Sequence, residues 1–429
     1  MEQHDARTIN RLEDGVEDDR VERPRRWRLV PPAITPIALR DVCSGLLDSI
    51  RRKARDGFQR DMEAFFDADT SATYTSYRRA LASCVHELRA NTPDECREVL
   101  IPAFCSPDFP ETIEGVGLEA ARYDVDPTTL AANPSAIEAA VTEHTLAVVA
   151  VNVLGYTSPM ETLAETCSDR DVFLIEALGY APGTEYKGQR LGTFGDCAVL
   201  NFQQGKPIPV GGGMILSQNP DLAFSDQGRS RTRANVGAIT GYALLSRPRR
   251  YYAYTRAKEW LDRFGRLNWR PTTHPESKFA VEYDPPFATM SDFQGAIASR
   301  VFDRLEDNRE QRAKTAQFYT EALSTCPKVR SIDPIGGLTR HQYVRFPLIA
   351  ETQPLRDRIG QALNEAGIQA TTLYDWPMID PTSFPGAGKL QRHILTLPTH
   401  PYVDERDRRL VVETIRTAVA RDTTDTHSG

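Results

Sequence analysis

Short apolar runs alternate with helix-like segments along the middle of this chain, and that alternation constrains the fold more than any other feature. Each run is a few residues long and almost free of polar residues, which is typical of strands buried on both faces of a sheet. The runs are Val99–Phe104, Leu146–Val153, Val172–Ile175, Ala198–Phe202 and Met214–Leu216. Because strands that alternate with helices usually pair in parallel, the pattern predicts an α/β protein with a largely parallel sheet.

Helix-start signals separate the apolar runs. A polar residue followed by proline predicts helix starts at Asn133-Pro134 and Ser158-Pro159, because proline loses nothing at a first helical position whose amide has no partner. Ser291 is predicted to cap a long amphipathic helix. These signals supply the crossover helices that a parallel sheet requires.

The charge and apolar patterns also divide the chain into regions. We expect a mobile N-terminal tail over residues 1–30 and a large α/β domain over 31–300, with a basic and aromatic insertion at about 235–285. A small C-terminal α+β domain should follow over 301–421, and a second mobile tail over 422–429.

Composition excludes several classes of protein. The chain has 429 residues, of which 40% are hydrophobic and 26% charged, and its net charge is −7; this is typical of a globular protein and unlike a general nucleic-acid binder. No apolar run reaches membrane-spanning length, and the acidic N-terminal residues lack the apolar stretch of a secretory signal. The 7 cysteines and 8 histidines show no metal-binding spacing. We therefore expect a cytoplasmic protein with free thiols and no metal site.

One lysine lies where this kind of fold places its ligands. Lys206 follows the predicted strand Ala198–Phe202, in a loop rich in glycine and proline, and open α/β sheets bind ligands beyond the carboxyl ends of their strands. A buried amine has a lowered pKa and can form a Schiff base, whereas an isolated exposed lysine is merely solvated. From its position alone, surface solvation is the more common role for such a lysine, so the candidacy of Lys206 as the catalytic residue depends on the sequence around it.

Several passages around Lys206 match one known pattern. They are YKGQRLGTFGDCAVLNF at 186–202 with the lysine loop and glycine-rich turn after it, IPAF at 101–104, YDVDPTTL at 123–130, AVVAVNVLG at 147–155 and LTLPTHPYVDE at 395–405. Together they resemble the DegT/DnrJ/StrS family of pyridoxal 5'-phosphate (PLP) sugar aminotransferases, a branch of the fold-type I aminotransferases. The resemblance covers roughly residues 31–420.

This resemblance implies a fold-type I PLP-transferase-like architecture, with a mostly parallel, seven-stranded-type sheet in a large domain and a small C-terminal α+β domain. It also implies a homodimer, PLP as the cofactor, and small-molecule substrates, namely an amino-acid donor and a nucleotide-linked keto sugar. Lys206 occupies the family's Schiff-base position and would also move the proton during transamination.

The sequence departs from the family at the residue that pairs with the pyridine nitrogen. The family reads Ile-Glu-Asp after the strand, and this chain reads Ile175-Glu176-Ala177. Alanine cannot protonate the nitrogen, so the ring would be a weaker electron sink. Glu176 is the neighbouring acid that could replace the aspartate, but only through a shifted backbone, because successive strand residues point to opposite faces.

Other predicted cofactor contacts are also altered. Ser76 is kept from the phosphate-binding turn, and Arg78 stands in the place of its threonine; Arg78 is either a charged phosphate ligand or an ordinary helical arginine. Asn201 replaces a serine and remains a phosphate donor, and Tyr180 is placed to bond the 3'-oxygen of the cofactor. The aromatic residue that stacks on the ring is replaced by Ser106.

The resemblance is weakest in a basic and aromatic stretch at 247–270, which is typical of an inserted element. Dimer packing or the rim of the substrate site is our first interpretation of this stretch. Peripheral contact with an anionic membrane is the second, and nucleic-acid binding is the last.

Two functions follow from these observations. The first is a PLP-dependent aminotransferase that aminates a keto sugar in sugar, polysaccharide or secondary-metabolite biosynthesis, which Lys206 supports. The second is a divergent homologue with weak or lost PLP binding that acts as a binding, regulatory or partner subunit, which Ala177 supports.

Overall fold

The strands form where the apolar runs predict them. The computed structural model describes residues 24–224, 232–263, 288–374 and 379–427, and each predicted run overlaps a strand. The strands are β1 (Thr70–Tyr74), β2 (Glu98–Pro102), β3 (Glu119–Tyr123), β4 (Thr145–Val151), β5 (Phe173–Ala177), β6 (Glu185–Tyr186), β7 (Gln189–Arg190), β8 (Cys197–Asn201), β9 (Gly213–Ser217), β10 (Val329–Ser331), β11 (Leu338–Thr339), β12 (Arg345–Ala350) and β13 (Ile394–Pro398).

The central sheet of the described residues has 7 strands in the order β1-β9-β8-β5-β4-β2-β3. The pairs β3–β2, β2–β4, β4–β5 and β5–β8 are parallel, whereas β9 is antiparallel to both β8 and β1. The predicted α/β class with a mostly parallel sheet is therefore confirmed. The parallel arrangement brings the carboxyl ends of β4, β5 and β8 to one edge, and Lys206 follows β8 at that edge.

Helices connect the strands and cover both faces of the sheet. They are α1 (Leu39–Ser49), α2 (Ala54–Phe66), α3 (Tyr77–Ala90), α4 (Asp108–Gly115), α5 (Pro134–Ala140), α6 (Met160–Asp169), α7 (Thr232–Leu245), α8 (Pro248–Arg263), α9 (Asp292–Phe302), α10 (Leu305–Leu323), α11 (Gln353–Glu365), α12 (Pro385–His393) and α13 (Glu405–His427), with a 3-10 turn at Val153–Gly155. Alternate side chains of β4 enter the two cores: Val148 and Ala150 pack on one face, and Ala147 and Val149 on the other.

Two of the three predicted helix caps are confirmed. The Asn133 side chain accepts a hydrogen bond from the Ser135 amide at the start of α5, and Ser291 forms a capping box at the start of α9. The third prediction is wrong, because Ser158 accepts from the Ala132 amide at 2.7 Å and α6 begins at Met160 without a side-chain cap. The serine that the local pattern predicts as a helix cap therefore makes a tertiary hydrogen bond instead.

The C-terminal part has its own antiparallel sheet, in the order β10-β12-β13. Apolar residues of α10, α11 and α13 pack on this sheet in a separate core. Val30, far away in sequence, is fully buried in that core, and its amide donates to the Gly367 carbonyl at 2.8 Å. The chain thus crosses to the C-terminal sheet before it enters the central one.

The predicted tails are partly wrong. Residues 24–30 belong to the folded structure: Arg25 and Arg28 both bind the buried carboxylate of Asp407. At the other end α13 continues to His427, through residues predicted as a tail. Both segments are charged, which is why the sequence predicts tails. They take up defined structure because residues far away in sequence contact them. Residues 1–23 lie outside the described residues.

The predicted basic and aromatic stretch begins with helix α8. Tyr251 donates to the Gln369 side chain at 2.9 Å, and Tyr252 packs edge-on against Trp27, so part of α8 lies on its own chain. Trp260, by contrast, is 60% exposed. Residues 264–270 lie outside the described residues. No helix in the described ranges is long and apolar enough to cross a bilayer.

The pairing of Arg25 and Arg28 with Asp407 should stabilise the fold measurably. Replacing Asp407 with Asn removes a buried charge partner from both arginines, so we expect the free energy of unfolding to fall by about 1–3 kcal/mol. The matched control is Asp404→Asn, because Asp404 binds the same arginines from a more exposed position and should cost less than about 1 kcal/mol. Urea unfolding measures both variants, and equal stabilities would contradict this account.

Candidate functional site

Backbone hydrogen bonds hold Lys206 at the carboxyl edge of the central sheet. Beyond β8 the chain turns at Gly205, whose φ of +84° is a left-handed conformation that favours glycine. The Lys206 amide donates to the Gln203 carbonyl at 3.2 Å, and the Lys206 carbonyl accepts from the Thr35 hydroxyl at 2.8 Å. These contacts leave the side chain to reach into the space beside the strand ends.

The amine of Lys206 lies against an aromatic ring. Its Nζ is 3.2 Å from the centre of the Tyr180 ring, a cation–π contact. Burial lowers the pKa of Lys206, and the nearby charge of Arg345 acts in the same direction, while Tyr180 opposes them. Burial alone would raise the pKa of Tyr180, but the charges of Lys206 and Arg345 outweigh it, so that this pKa is lowered. The neutral amine is therefore more accessible than that of a solvated lysine.

A small cavity opens beside this pair. The centre of a water molecule can occupy ≈ 40 Å³ of it. Its walls come from the ends of β4, β5 and β8, the starts of α3 and α4, and a segment of the C-terminal part; they include Asn152, Ala177, Asn201, Gln203, Tyr77, Asp108 and Tyr374. The cavity therefore lies where three parallel strands end.

Three buried polar atoms on the cavity walls have no hydrogen-bond partner within the described part of the chain. They are Asn152 Nδ2, Gln203 Nε2 and the hydroxyl of Tyr77. Their residues are 1%, 8% and 3% exposed, so water can form few hydrogen bonds with these atoms. An unsatisfied buried donor costs about 1–3 kcal/mol of folding free energy. Such atoms in a cavity with an amine indicate a site for a ligand that brings hydrogen-bond acceptors.

Asn201 orients one of these donors. The Asn201 Oδ1 accepts a hydrogen bond from the backbone amide of Gln203 at 2.9 Å, and the Asn201 Nδ2 donates to the side-chain Oε1 of Gln203 at 3.2 Å. With its oxygen engaged in this way, Gln203 presents only its Nε2 as a further donor. The sequence-predicted residues Tyr180 and Asn201 are thus brought together with Lys206.

Glu176 is not brought to the cavity, which corrects its prediction as a cofactor contact. Its carboxylate points to the opposite side of β5 from Ala177 and accepts the amides of Gly192, Phe194 and Gly195 at 2.7, 2.7 and 2.9 Å. Burial raises the pKa of Glu176 to about 7, although the three amides oppose the rise. Only the methyl group of Ala177 faces the cavity. Glu176 and Ala177 therefore point to opposite faces of the sheet, as the sequence predicts.

Ser76 and Arg78 also lie outside the cavity lining. The Ser76 hydroxyl caps α3 by accepting from the Arg79 amide at 3.2 Å. The Arg78 guanidinium is buried and lies 2.9 Å from a Glu111 carboxylate oxygen and 3.7 Å from an Asp108 oxygen. Arg78 is therefore neither an exposed helical arginine nor a wall of the cavity, and the two carboxylates already compensate its charge.

Sequence reasoning missed Asn152, Gln203, Asp108 and Tyr374. A signal existed for the first two, since each is an amide residue just after a buried apolar strand, where parallel sheets collect their ligand contacts. Asp108 and Tyr374 carry no such signal, because they reach the cavity only through tertiary packing. Within the described residues, no group of three or more His, Cys, Asp or Glu side chains is placed to hold a metal ion.

Comparison with known proteins identifies one family. The model of the DegT/DnrJ/EryC1/StrS aminotransferase family matches residues 44–243 and 273–416. L-glutamine:2-deoxy-scyllo-inosose aminotransferase of Streptomyces kanamyceticus is 34% identical over 74% of this chain and 74% of its own length. The dTDP-4-dehydro-2,3,6-trideoxy-D-glucose 4-aminotransferase of Saccharopolyspora spinosa is 26% identical over 75% of this chain and 78% of its own.

Solved structures share the fold. The aminotransferase TlmJ from Streptoalloteichus hindustanus superposes with a TM-score of 0.69 at 20% identity, over 92% of this chain and 99% of that chain. The PLP form of Spr1654 from Streptococcus pneumoniae gives a TM-score of 0.71 at 16% identity, over 92% and 99%. The cofactor that the sequence resemblance implies is PLP.

The side chains around Lys206 fit PLP at some of its atoms. The amine fits the aldehyde, and the unpartnered donors of Asn152 and Gln203 fit its oxygen atoms. Ala177 offers nothing to the ring nitrogen.

The raised pKa of Glu176 predicts a pH-dependent stability. Because its folded pKa of about 7 lies above the ordinary value of 4.5, protonation favours the folded state, and this contribution is lost as pH rises through 7. We expect the unfolding free energy of the wild type to fall, relative to Glu176→Gln, by up to about 3 kcal/mol between pH 4.5 and 8.

Urea unfolding at a series of pH values measures this difference. Glu114→Gln, on the exposed side of α4, is the control and should keep the pH profile of the wild type. Parallel profiles for the wild type and Glu176→Gln would show that the carboxyl stays ionised in the folded protein.

Proposed function

Because this chain belongs to the DegT/DnrJ/EryC1/StrS aminotransferase family, we propose that it is a PLP-dependent aminotransferase that transfers an amino group from an amino-acid donor to a keto sugar. The observation that carries the proposal is the Lys206 amine, held at the carboxyl edge of the parallel sheet with a lowered pKa. The names of the relatives support the substrate class, since one acts on a dTDP-linked dehydro sugar and another on 2-deoxy-scyllo-inosose.

Six residues of the site have a task in this chemistry. When bound, PLP supplies the electron sink that makes a carbon next to the amino group acidic. Lys206, with its lowered pKa, takes up and returns a proton at that carbon. Tyr180 shares the charge of the amine, and Asn152 and Gln203 donate to acceptor oxygens of the bound molecules. The apolar faces of Tyr374 and Phe109 exclude water from the reacting atoms.

A second candidate function is a homologue with weak or lost PLP binding that acts as a binding, regulatory or partner subunit. Two observations favour it. Ala177 stands in the place of the acid for the ring nitrogen, and Arg78, predicted as a phosphate ligand, is already paired with two carboxylates. The binding of PLP separates the two candidates.

Titration of the purified, PLP-free protein with PLP tests the proposal. We expect a visible absorption band from PLP joined to Lys206, its loss in Lys206→Ala, and its bleaching by an amino-acid donor. Lys187→Ala is the matched control, because Lys187 is an exposed lysine paired with Glu161. Absence of the band at saturating PLP would favour the second candidate. A band that no amino donor bleaches would contradict the aminotransferase.

Restoring the missing acid should strengthen PLP binding. In Ala177→Asp the new carboxylate would face the ring nitrogen from the cavity wall, and a buried charge-assisted hydrogen bond is worth about 1.5–3 kcal/mol, so the Kd for PLP should fall about tenfold or more. Ala177→Asn is the control of equal size without the charge. An unchanged Kd in Ala177→Asp would mean that the ring nitrogen does not face residue 177.

A further inference from the structure

A second cavity lies next to the residues that hold Lys206. Thr35 donates to the Lys206 carbonyl at 2.8 Å, and the Tyr242 hydroxyl accepts from the Thr35 amide at 3.0 Å and donates to the Thr35 carbonyl at 3.1 Å. Pro36 and Ala243, which follow Thr35 and Tyr242 in sequence, line the second cavity. No described residue lines both this cavity and the one beside Lys206, so the two are separate sites.

The second cavity has the size of a site for a small molecule. The centre of a water molecule can occupy ≈ 460 Å³ of it, compared with ≈ 40 Å³ beside Lys206, and ligand sites in proteins commonly measure about 300–1,000 Å³. Its walls come from the start of α1, the junction of α7 and α8, the start of α10 and the loop that follows β13. Because arginines from three of these elements line it, we call it the arginine cavity.

Positive charge predominates on the walls of the arginine cavity. The charged residues that line it are Arg40, Arg247, Arg250, Arg304 and Asp307. Arg304 binds Asp41 at 2.7 Å, whereas the other three arginines make no ion pair with a carboxylate within the described residues. These three are exposed, so a ligand can reach them from solvent. A cleft lined mainly by charges of one sign attracts counter-ions, and the cavity therefore favours an anionic ligand.

Three helices begin at the arginine cavity and add to its positive potential. Leu39 is the first residue of α1, while Arg247 and Arg304 directly precede α8 and α10. A helix carries a partial positive charge at its N-terminus, together with amides that have no partner inside the helix. In α8 no acidic residue of the first turn offsets this charge.

Asn308 is an independent indication of a ligand. Its side chain lines the arginine cavity, and the residue is only 8% exposed. Its side-chain amide has no hydrogen-bond partner in the part of the chain that the structure describes. A buried amide without a partner is costly, whereas a bound molecule with acceptor oxygens would satisfy its two N–H donors.

We propose that the arginine cavity binds an organic phosphate. The phosphate group lies among Arg40, Arg247 and Arg250, because the forked guanidinium group matches the geometry of phosphate oxygens, and it accepts a hydrogen bond from Asn308. The organic part packs on the apolar wall of the cavity, which includes Ile37, Pro401 and Tyr402.

This proposal goes beyond the aminotransferase function and does not depend on it. Lys206 takes no part in the site. Arg40, Arg247 and Arg250 lie outside residues 44–243 and 273–416, which match the family model. The arginines that bind the phosphate therefore belong to segments outside the sequence that this chain shares with the family.

Calorimetric titration of the full-length protein with pyrophosphate tests the site. Arg247→Gln should weaken binding about tenfold or more, because a charge-assisted hydrogen bond is lost. Arg249→Gln is the matched control, since Arg249 is an exposed arginine of the same helix that does not line the cavity, and it should change the affinity less than about twofold. Asp307→Asn removes a negative charge from the wall and should tighten binding. No binding at millimolar pyrophosphate, or equal losses in the two arginine variants, would overturn the proposal.

Two further variants locate the anion. Asn308→Asp places a carboxylate of equal size beside the arginines and should abolish binding, with circular dichroism to verify that the variant is folded. If it does not fold, the variants of exposed Arg247 and Asp307 still decide the outcome. Lys206→Ala should keep the binding that Arg247→Gln weakens. Loss of this binding in Lys206→Ala would place the anion beside Lys206 and contradict a separate site.

Competition experiments test the organic part of the ligand. Phenyl phosphate and inorganic phosphate carry the same anionic group, and only the first has a ring for the apolar wall. We expect phenyl phosphate to displace pyrophosphate at a lower concentration than inorganic phosphate does. Equal displacement by the two compounds would overturn the assignment to an organic phosphate.

Discussion

The parallel pairing of β4, β5 and β8 is the constraint on which the rest of the site depends. Parallel strands end at the same edge, so Asn152, Ala177 and Gln203 meet there although they lie far apart in sequence. The sheet holds this register because both of its faces are buried, as the opposite packing of neighbouring β4 side chains shows. A shift of one residue in β5 would exchange Glu176 with Ala177 and place a carboxylate beside the Lys206 amine.

That alternation separates structural from chemical roles at the end of β5. Glu176 holds the loop of Gly192, Phe194 and Gly195 by its backbone amides, and Ala177 faces the cavity. The loop leads into β8 and so towards Lys206. The chain has thus kept the glutamate that holds the loop before β8 and changed the residue that the resemblance expects to act on the cofactor.

Much of the fold was predictable because it follows from local patterns. The apolar runs located five strands of the central sheet, and the resemblance identified the family and the position of Lys206. Tertiary contacts were not predictable in the same way. Val30 packs in the core of the C-terminal part. Ser158 accepts a hydrogen bond from the Ala132 amide and does not cap the helix that follows it. Arg78 forms ion pairs with two carboxylates of α4. Each depends on a partner that local sequence does not reveal.

All of these observations concern the surroundings of the Lys206 amine. A measurement of the pKa of this amine tests the account most directly. The chain has eight lysines, so NMR of the protein with isotope-labelled methyl groups on its lysine amines can follow each titration, with Lys206→Arg assigning one signal. The account predicts that this signal titrates below the ordinary lysine pKa of about 10.4, apart from that of exposed Lys187. A Lys206 signal that titrates at the ordinary value would contradict a buried amine prepared for reaction with a carbonyl group.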